Sequence, residues 1–192
     1  MPRLFTALEV PRSVAVGLSL LKGGLPGSRW VDVENYHVTL RFAGDIDPRQ
    51  ADDLADGLDH ITAPAIHLKL NGLSVFGSKK PHALIALVEP DPSLIALHGD
   101  IERLCQRLGL PADGRRFIPH ITLARLKNTT PDEAALYLSQ RGLVSVPEFI
   151  ASRFVLMSSR DSVGGGPYAI EAAYPLVAAP STGSAQNRYQ DI

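Results

Sequence analysis

The sequence predicts an α+β fold of two similar lobes, with antiparallel sheets lining a central cleft and helices on the outside. Three observations predict it. A His-x-Thr-Leu pattern occurs twice, as His37-Val38-Thr39-Leu40 and His120-Ile121-Thr122-Leu123, each with β-branched residues that favour a strand. Each copy sits in the same succession: strand, helix, His-x-Thr strand, helix, strand. The offsets also agree. Each histidine follows the proline that ends the preceding strand by a similar distance (37 − 11 = 26; 120 − 90 = 30), and each precedes a helix N-cap by the same one (47 − 37 = 10; 130 − 120 = 10). Direct identity between the halves is low, so order, caps and offsets carry the inference of a pseudo-twofold axis.

Taken in order, residues 4–10 form an apolar run that reads as a buried strand stopped by Pro11. A helix follows over 12–21, with Val14, Leu18 and Leu21 at helical spacing, and ends in the loop Gly23-Gly24-Leu25-Pro26-Gly27. Trp30 (a packing residue) leads into the first His-x-Thr strand. Asp47-Pro48 is an N-cap with proline at the first helical position, and Gln50 completes a capping box. The helix it starts is apolar at Ala51, Leu54, Ala55 and Leu58, and its Asp52, Asp53, Asp56 and Asp59 read as a solvated face. Residues 65–76 alternate as a strand does.

Residues 82–90 then repeat the opening strand. Asp91-Pro92 caps the clearest amphipathic helix, with Leu94, Leu97, Ile101, Leu104 and Leu108 in register and Cys105 on its buried side. Arg115-Arg116 leads to the second His-x-Thr strand, Thr130-Pro131-Asp132-Glu133 caps a helix to Arg141, and strands are expected over 153–158 and 168–177. We read one bilobed domain over 1–177, with repeat halves of about 3–76 and 82–158, a closing strand at 168–177, and a disordered tail at 178–192. The run Gly164-Gly165-Gly166 lacks a following Lys-Ser/Thr and is a loop, not a phosphate cradle of the P-loop type.

Composition narrows the function. A chain of 192 residues, 45% hydrophobic and 20% charged, can bury a substantial core. A net charge of −1 argues against wrapping long nucleic acid, though it leaves room for a local basic patch. One cysteine excludes an internal disulfide and a cysteine-rich zinc site. The apolar run after Arg3 is broken too early for a signal peptide, and no stretch has the length of a membrane span. The expectation is a cytoplasmic protein without an obligate protein partner.

On a strand, His and Thr of each copy share one face while Val or Ile and Leu share the other. Two such strands across a cleft present two imidazoles and two hydroxyls to one small ligand. Imidazole has both protonation states available near neutrality, so one ring can take a proton while the other gives one. Thr39 and Thr122 can hydrogen-bond anionic oxygens. Arg125, five residues after His120, is off the strict alternation and needs a bulge or strand end to turn it inward toward a phosphate. Such chemistry calls for no metal or cofactor, and neither histidine has a third ligand at a suitable spacing. His60, His67 and His98 read as structural or surface residues; His82, Arg115 and Arg116 are left open.

The chain resembles the two-histidine phosphoesterases, and within them the bacterial RNA 2′,3′-cyclic phosphodiesterases, also called the 2′-5′ RNA ligase or LigT-like family. The likeness rests on Arg3-Leu-Phe-Thr-Ala-Leu-Glu, on Trp30 with Asn35-x-His37-Val-Thr-Leu, and on Phe117-x-Pro-His120-Ile-Thr-Leu-Ala-Arg125, and runs over about residues 3–177. It implies the bilobed fold and metal-independent hydrolysis of RNA or nucleotides with 2′,3′-cyclic phosphate ends to 2′-phosphates. It also implies His120 as base toward water, His37 as acid toward the 3′ oxygen, and Thr39, Thr122 and Arg125 around the phosphate. Phe5 and Tyr168 become candidate walls against sugar or base. The family often has arginine and tryptophan after the positions of Phe76 and Pro81, where this chain has His82, Ala83 and Leu84. Two alternatives stand: 2′-5′ ligation in the same cleft, and a non-catalytic nucleotide or RNA binder.

Overall fold

A computed structural model describes residues 3–141, 146–159 and 167–177. The glycine run at 164–166 and the tail at 178–192, expected to be a loop and disordered, lie outside the described residues. The element order is β1 (Arg3–Glu9), α1 (Arg12–Ser19), β2 (Ser28–Trp30), β3 (His37–Asp45), α2 (Pro48–Asp59), β4 (Ile66–Leu68), β5 (Leu70–Phe76), β6 (Ala83–Val88), α3 (Pro92–Arg107), β7 (His120–Leu126), α4 (Pro131–Arg141), β8 (Phe149–Ala151), β9 (Arg153–Ser159) and β10 (Tyr168–Pro175), with one 3-10 turn at Val33–Asn35.

The helix starts are those the sequence predicts. The Asp47 carboxylate accepts from the Gln50 amide at 2.9 Å, and Asp91 accepts from Ser93 and Leu94 at 2.8 and 3.2 Å. Thr130 and Glu133 close a reciprocal capping box: the Glu133 amide donates to the Thr130 hydroxyl at 3.2 Å, and the Thr130 amide donates to the Glu133 carboxylate at 2.8 Å. Leu54 and Leu58 on α2, and Leu94, Leu97, Ile101, Leu104 and Cys105 on α3, are buried in one core with the inner faces of the strands. The α2 residues Asp52, Asp53 and Asp59 are exposed, as a solvated face requires.

The main sheet runs β10-β9-β1-β3-β7-β6-β5, with β2 also paired to β7, and β4 pairs separately with β8. All of these pairs are antiparallel. Its two wings meet through one residue pair, Val38 with Ile121, at the start of the two His-x-Thr strands. The lobes are not simply the two sequence halves, because each takes its third strand from the other half. β5 of the first half pairs with β6, and β9 of the second pairs with β1. For β5 the reason is local: the short turn after Phe76 folds it back on β6 as a hairpin, which costs less loop-closure entropy than a return to β1. The 65–76 run accordingly divides between two sheets, β4 against β8 and β5 against β6.

Candidate active site

The two motif strands carry the same burial pattern over their first six residues: half-buried, buried, half-buried, buried, buried, exposed. His37 and Thr39, and His120 and Thr122, are the half-buried positions; Val38, Leu40, Ile121 and Leu123 enter the core. Strict alternation then fails at the same point in both strands. Along β1 the partners step from Thr6–Arg41 to Ala7–Thr39, skipping Leu40, and along β6 they step from Leu84–Ala124 to Ile85–Thr122, skipping Leu123. Each bulge puts two successive residues into the core, Leu40-Arg41 and Leu123-Ala124, and returns the next residue to the histidine face. The inward turn that Arg125 requires comes from this bulge, and Phe42 is brought to the same face by the other.

Each imidazole is held by the carbonyl two residues before it. The Nδ1 atom of His37 lies 2.8 Å from the Asn35 carbonyl oxygen, and that of His120 lies 2.7 Å from the oxygen of Ile118. A carbonyl only accepts, so Nδ1 carries the proton in both rings and Nε2 is left for a ligand. Each ring also meets an aromatic partner nearly edge-on: His37 with Tyr168 at 5.1 Å and 89°, His120 with Phe76 at 4.8 Å and 88°. The Asn35 side-chain oxygen accepts from the Tyr168 amide at 3.4 Å, so one residue ties both His37 and its aromatic partner.

A cavity of about 200 Å³ brings His37, His120, Thr39, Thr122, Arg125 and Tyr168 together, with Phe42, Phe76 and His82 also on its wall. Six of the seven expected site residues therefore share one space. Phe5 is corrected. It is 1% exposed and packs under the site with Ala7, Val155 and Met157, its ring 5.1 Å from both His37 and Tyr168. Alternation along β1 puts its side chain on the cleft face, but Phe42 and Tyr168 cover it, so it supports the rings and is shut off from solvent.

The electrostatics favour an anion. Burial lowers the His37 pKa to about 4, against the backbone hydrogen bond that raises it, with further lowering from His120 and Arg125. Burial likewise lowers the His120 pKa, and Arg125 adds to the effect. Both rings are uncharged at neutral pH. Among the described residues Arg125 has no carboxylate partner, and no three His, Cys, Asp or Glu side chains converge as they would around a metal ion.

Sequence reasoning missed Phe42 and Phe76. The repeat held the signal for Phe42, which follows its histidine by the same five residues as Arg125 (42 − 37 = 5; 125 − 120 = 5). Phe76 reaches His120 only through the hairpin from the other half, which nothing in the local pattern reveals. Trp30 packs against the core near Tyr137, and Cys105 is buried, both as expected.

The fold and the site thus bring together two imidazoles on matched, bulged strands of a bilobed antiparallel sheet. A profile described as LigT like Phosphoesterase matches residues 8–86 and again 85–168, once in each half. The chain belongs to that family. It is 34% identical over 187 residues to an RNA 2′,3′-cyclic phosphodiesterase of Geobacillus stearothermophilus, covering 92% of this chain and 58% of the relative. It is 31% identical over 153 residues to a protein of the same name from Aquifex aeolicus, covering 77% of this chain and 81% of that one. The chain thus spans little more than half the length of the Geobacillus relative. Among solved structures, E. coli LigT complexed with 3′-AMP superposes with a TM-score of 0.72 at 24% identity, covering 92% of this chain and 99% of that one. A Thermus thermophilus protein, TT0787, does so with a TM-score of 0.73 at 24% identity, covering 91% and 97%. At these identities the superpositions bear on the fold. No helix among the described residues is long and apolar enough to cross a membrane.

Proposed function

We propose that the protein is an RNA 2′,3′-cyclic phosphodiesterase that opens the cyclic phosphate to a 2′-phosphate with its two histidines. The observation that carries this reading is the matched pair of imidazoles, each with Nδ1 fixed to a carbonyl and Nε2 free, in one small cavity with Arg125. His120 takes a proton from water as the water oxygen bonds to phosphorus. The phosphorus–O3′ bond breaks, and His37 gives its proton to the departing 3′ oxygen. Thr39, Thr122 and Arg125 hold the non-bridging oxygens, where a guanidinium stabilises charge gathering in the transition state. The substrate's own negative charge opposes the lowering of the His37 pKa and so brings in the proton that step needs. The names of the Geobacillus and Aquifex relatives support the same substrate.

The test is product analysis with 2′,3′-cyclic AMP and a short cyclic-ended RNA, with and without EDTA. Formation of a 2′-phosphate insensitive to EDTA, and lost in His37→Ala and His120→Ala proteins that remain folded, is the expected result. Joining of RNA halves would point to ligation, with a 5′-hydroxyl in the place of water. Binding without turnover would leave a nucleotide binder.

A further inference from the structure

His37 has a carboxylate for a neighbour. β1 lies between β9 and β3 in the sheet, and the register pairs Glu9 directly with His37, and Ala7 with both Thr39 and Val155. Carried on by two residues, that register sets Arg153 on the other side of Glu9. Directly opposite residues share a face of the sheet, with Cβ atoms about 4.5–5.5 Å apart. Glu9 also alternates with Ala7 and Phe5, and the Phe5 ring lies 5.1 Å from that of His37 on the cleft face. His37, Glu9 and Arg153 therefore form one row across three strands, a carboxylate with a group that can carry positive charge on either hand.

Glu9 is committed to one of the two. Its carboxylate oxygens both accept from Arg153, from Nε at 2.6 Å and from Nη2 at 3.0 Å. The pair stands at the surface, where an ion pair adds little to stability. Its consequence lies at the imidazole instead. A carboxylate beside an imidazole ordinarily favours the charged ring. The His37 pKa is nevertheless about 4, lowered by burial, His120 and Arg125 and raised only by the Asn35 carbonyl. The other titratable groups on the cavity wall are His82, Arg115 and Tyr168, and none of them is a carboxylate.

Resting on the cyclic phosphodiesterase reading, we propose that Arg153 is a positioning residue that keeps Glu9 from His37, so that His37 takes up its proton with the substrate and not before it. A released Glu9 would pair with the imidazolium before any phosphate arrived. It would also set a negative charge beside the space the phosphate enters. With Glu9 engaged by Arg153, the phosphate is the first anion that His37 meets.

The test follows the His37 ring by NMR titration, without ligand, in the wild type and its variants. In Arg153→Gln the midpoint should rise by about one pH unit, the lower end of what an opposite charge about 4–6 Å away does. Arg153→Lys keeps a cation for Glu9 and should stay close to wild type. Glu9→Gln added to Arg153→Gln should bring the midpoint back, which separates a released carboxylate from the mere loss of a cation. The upper limb of the pH profile of kcat/KM for adenosine 2′,3′-cyclic phosphate should move to higher pH in Arg153→Gln and return in the double variant. An unmoved midpoint in Arg153→Gln, or a raised one that persists in the double variant, would overturn the proposal. Failure of the wild-type protein to turn over any cyclic phosphate would overturn the phosphodiesterase reading, and the control of the imidazole by Arg153 would still stand or fall on the titration.

Discussion

Phe42 and Arg125 occupy equivalent positions in the two halves, each five residues past its histidine and just beyond a bulge, at Leu40 and Leu123 respectively. A site that is otherwise close to symmetric thus receives an apolar ring from one strand and a guanidinium from the other. That difference gives the cleft a direction, with its cation on the β7 side.

Removing the guanidinium should cost both binding and rate. Arg125→Leu is expected to lower kcat/KM about 10²- to 10³-fold, the scale for losing one preorganised donor to developing negative charge. Adding Phe42→Arg to that variant should restore affinity for inorganic phosphate, measured by calorimetry, without restoring turnover, because the cation then lies on the opposite strand. Recovery of turnover would show that the side of the cleft does not matter.

Occupancy by an anion should be visible in the imidazoles. Burial holds His37 at about 4, and a bound phosphate favours the charged ring, so an NMR titration with saturating phosphate should move its midpoint upward. A midpoint that stays put would remove His37 from contact with the phosphate.

The same shift has a consequence for stability. An ordinary imidazole in the unfolded chain, near 6.5, takes up a proton that folded His37 does not take until about 4. The unfolded state therefore binds more protons between those values, and stability should fall as pH falls through that window. In His37→Gln this part of the acid slope should disappear from urea unfolding curves recorded at pH 4 to 7.

Arg41, 7% exposed, is held beneath the site. Its guanidinium donates to Glu102 and to the Phe42 and Pro111 carbonyls, while Glu102 also accepts from the Asp113 amide at 3.1 Å. The pair ties β3 to α3 and to the loop that carries Arg115 and Arg116. Glu102→Ala leaves a buried, unpaired guanidinium and should cost about 3–5 kcal/mol in chemical denaturation. Arg41→Met with Glu102→Met should recover most of that loss.

Gly77 begins the turn between β5 and β6 with φ +87°, and a Cβ there would collide with the Lys80 carbonyl and lie 2.7 Å from His82 Nδ1. Gly77→Ala should destabilise the protein by roughly 1–2 kcal/mol from the left-handed backbone alone. It should also displace His82 and the Phe76 ring, so KM is expected to rise even where the variant is folded.

Much of the site was legible locally. A strand period of two places His37 with Thr39 and His120 with Thr122, and the repeat of order and caps announces two related halves. Phe5 shows where the local signal stops. Its face could be read from β1, but its burial under Phe42 and Tyr168 depends on strands from three parts of the chain. Arg125 shows the same limit: its spacing argued against the cleft, and only a bulge set by pairing with β6 turns it in.

The sequence by itself determined the two His-x-Thr strands, the capped helices and the residue types of the chemistry, because side-chain alternation and helix capping act over a few neighbouring residues. The tertiary structure decided the exchange of third strands, the paired bulges, and the placing of Phe76 and Tyr168 edge-on to the two imidazoles. Those features arise from pairing between distant strands, and a register set by a partner strand leaves no mark in the local pattern of either one.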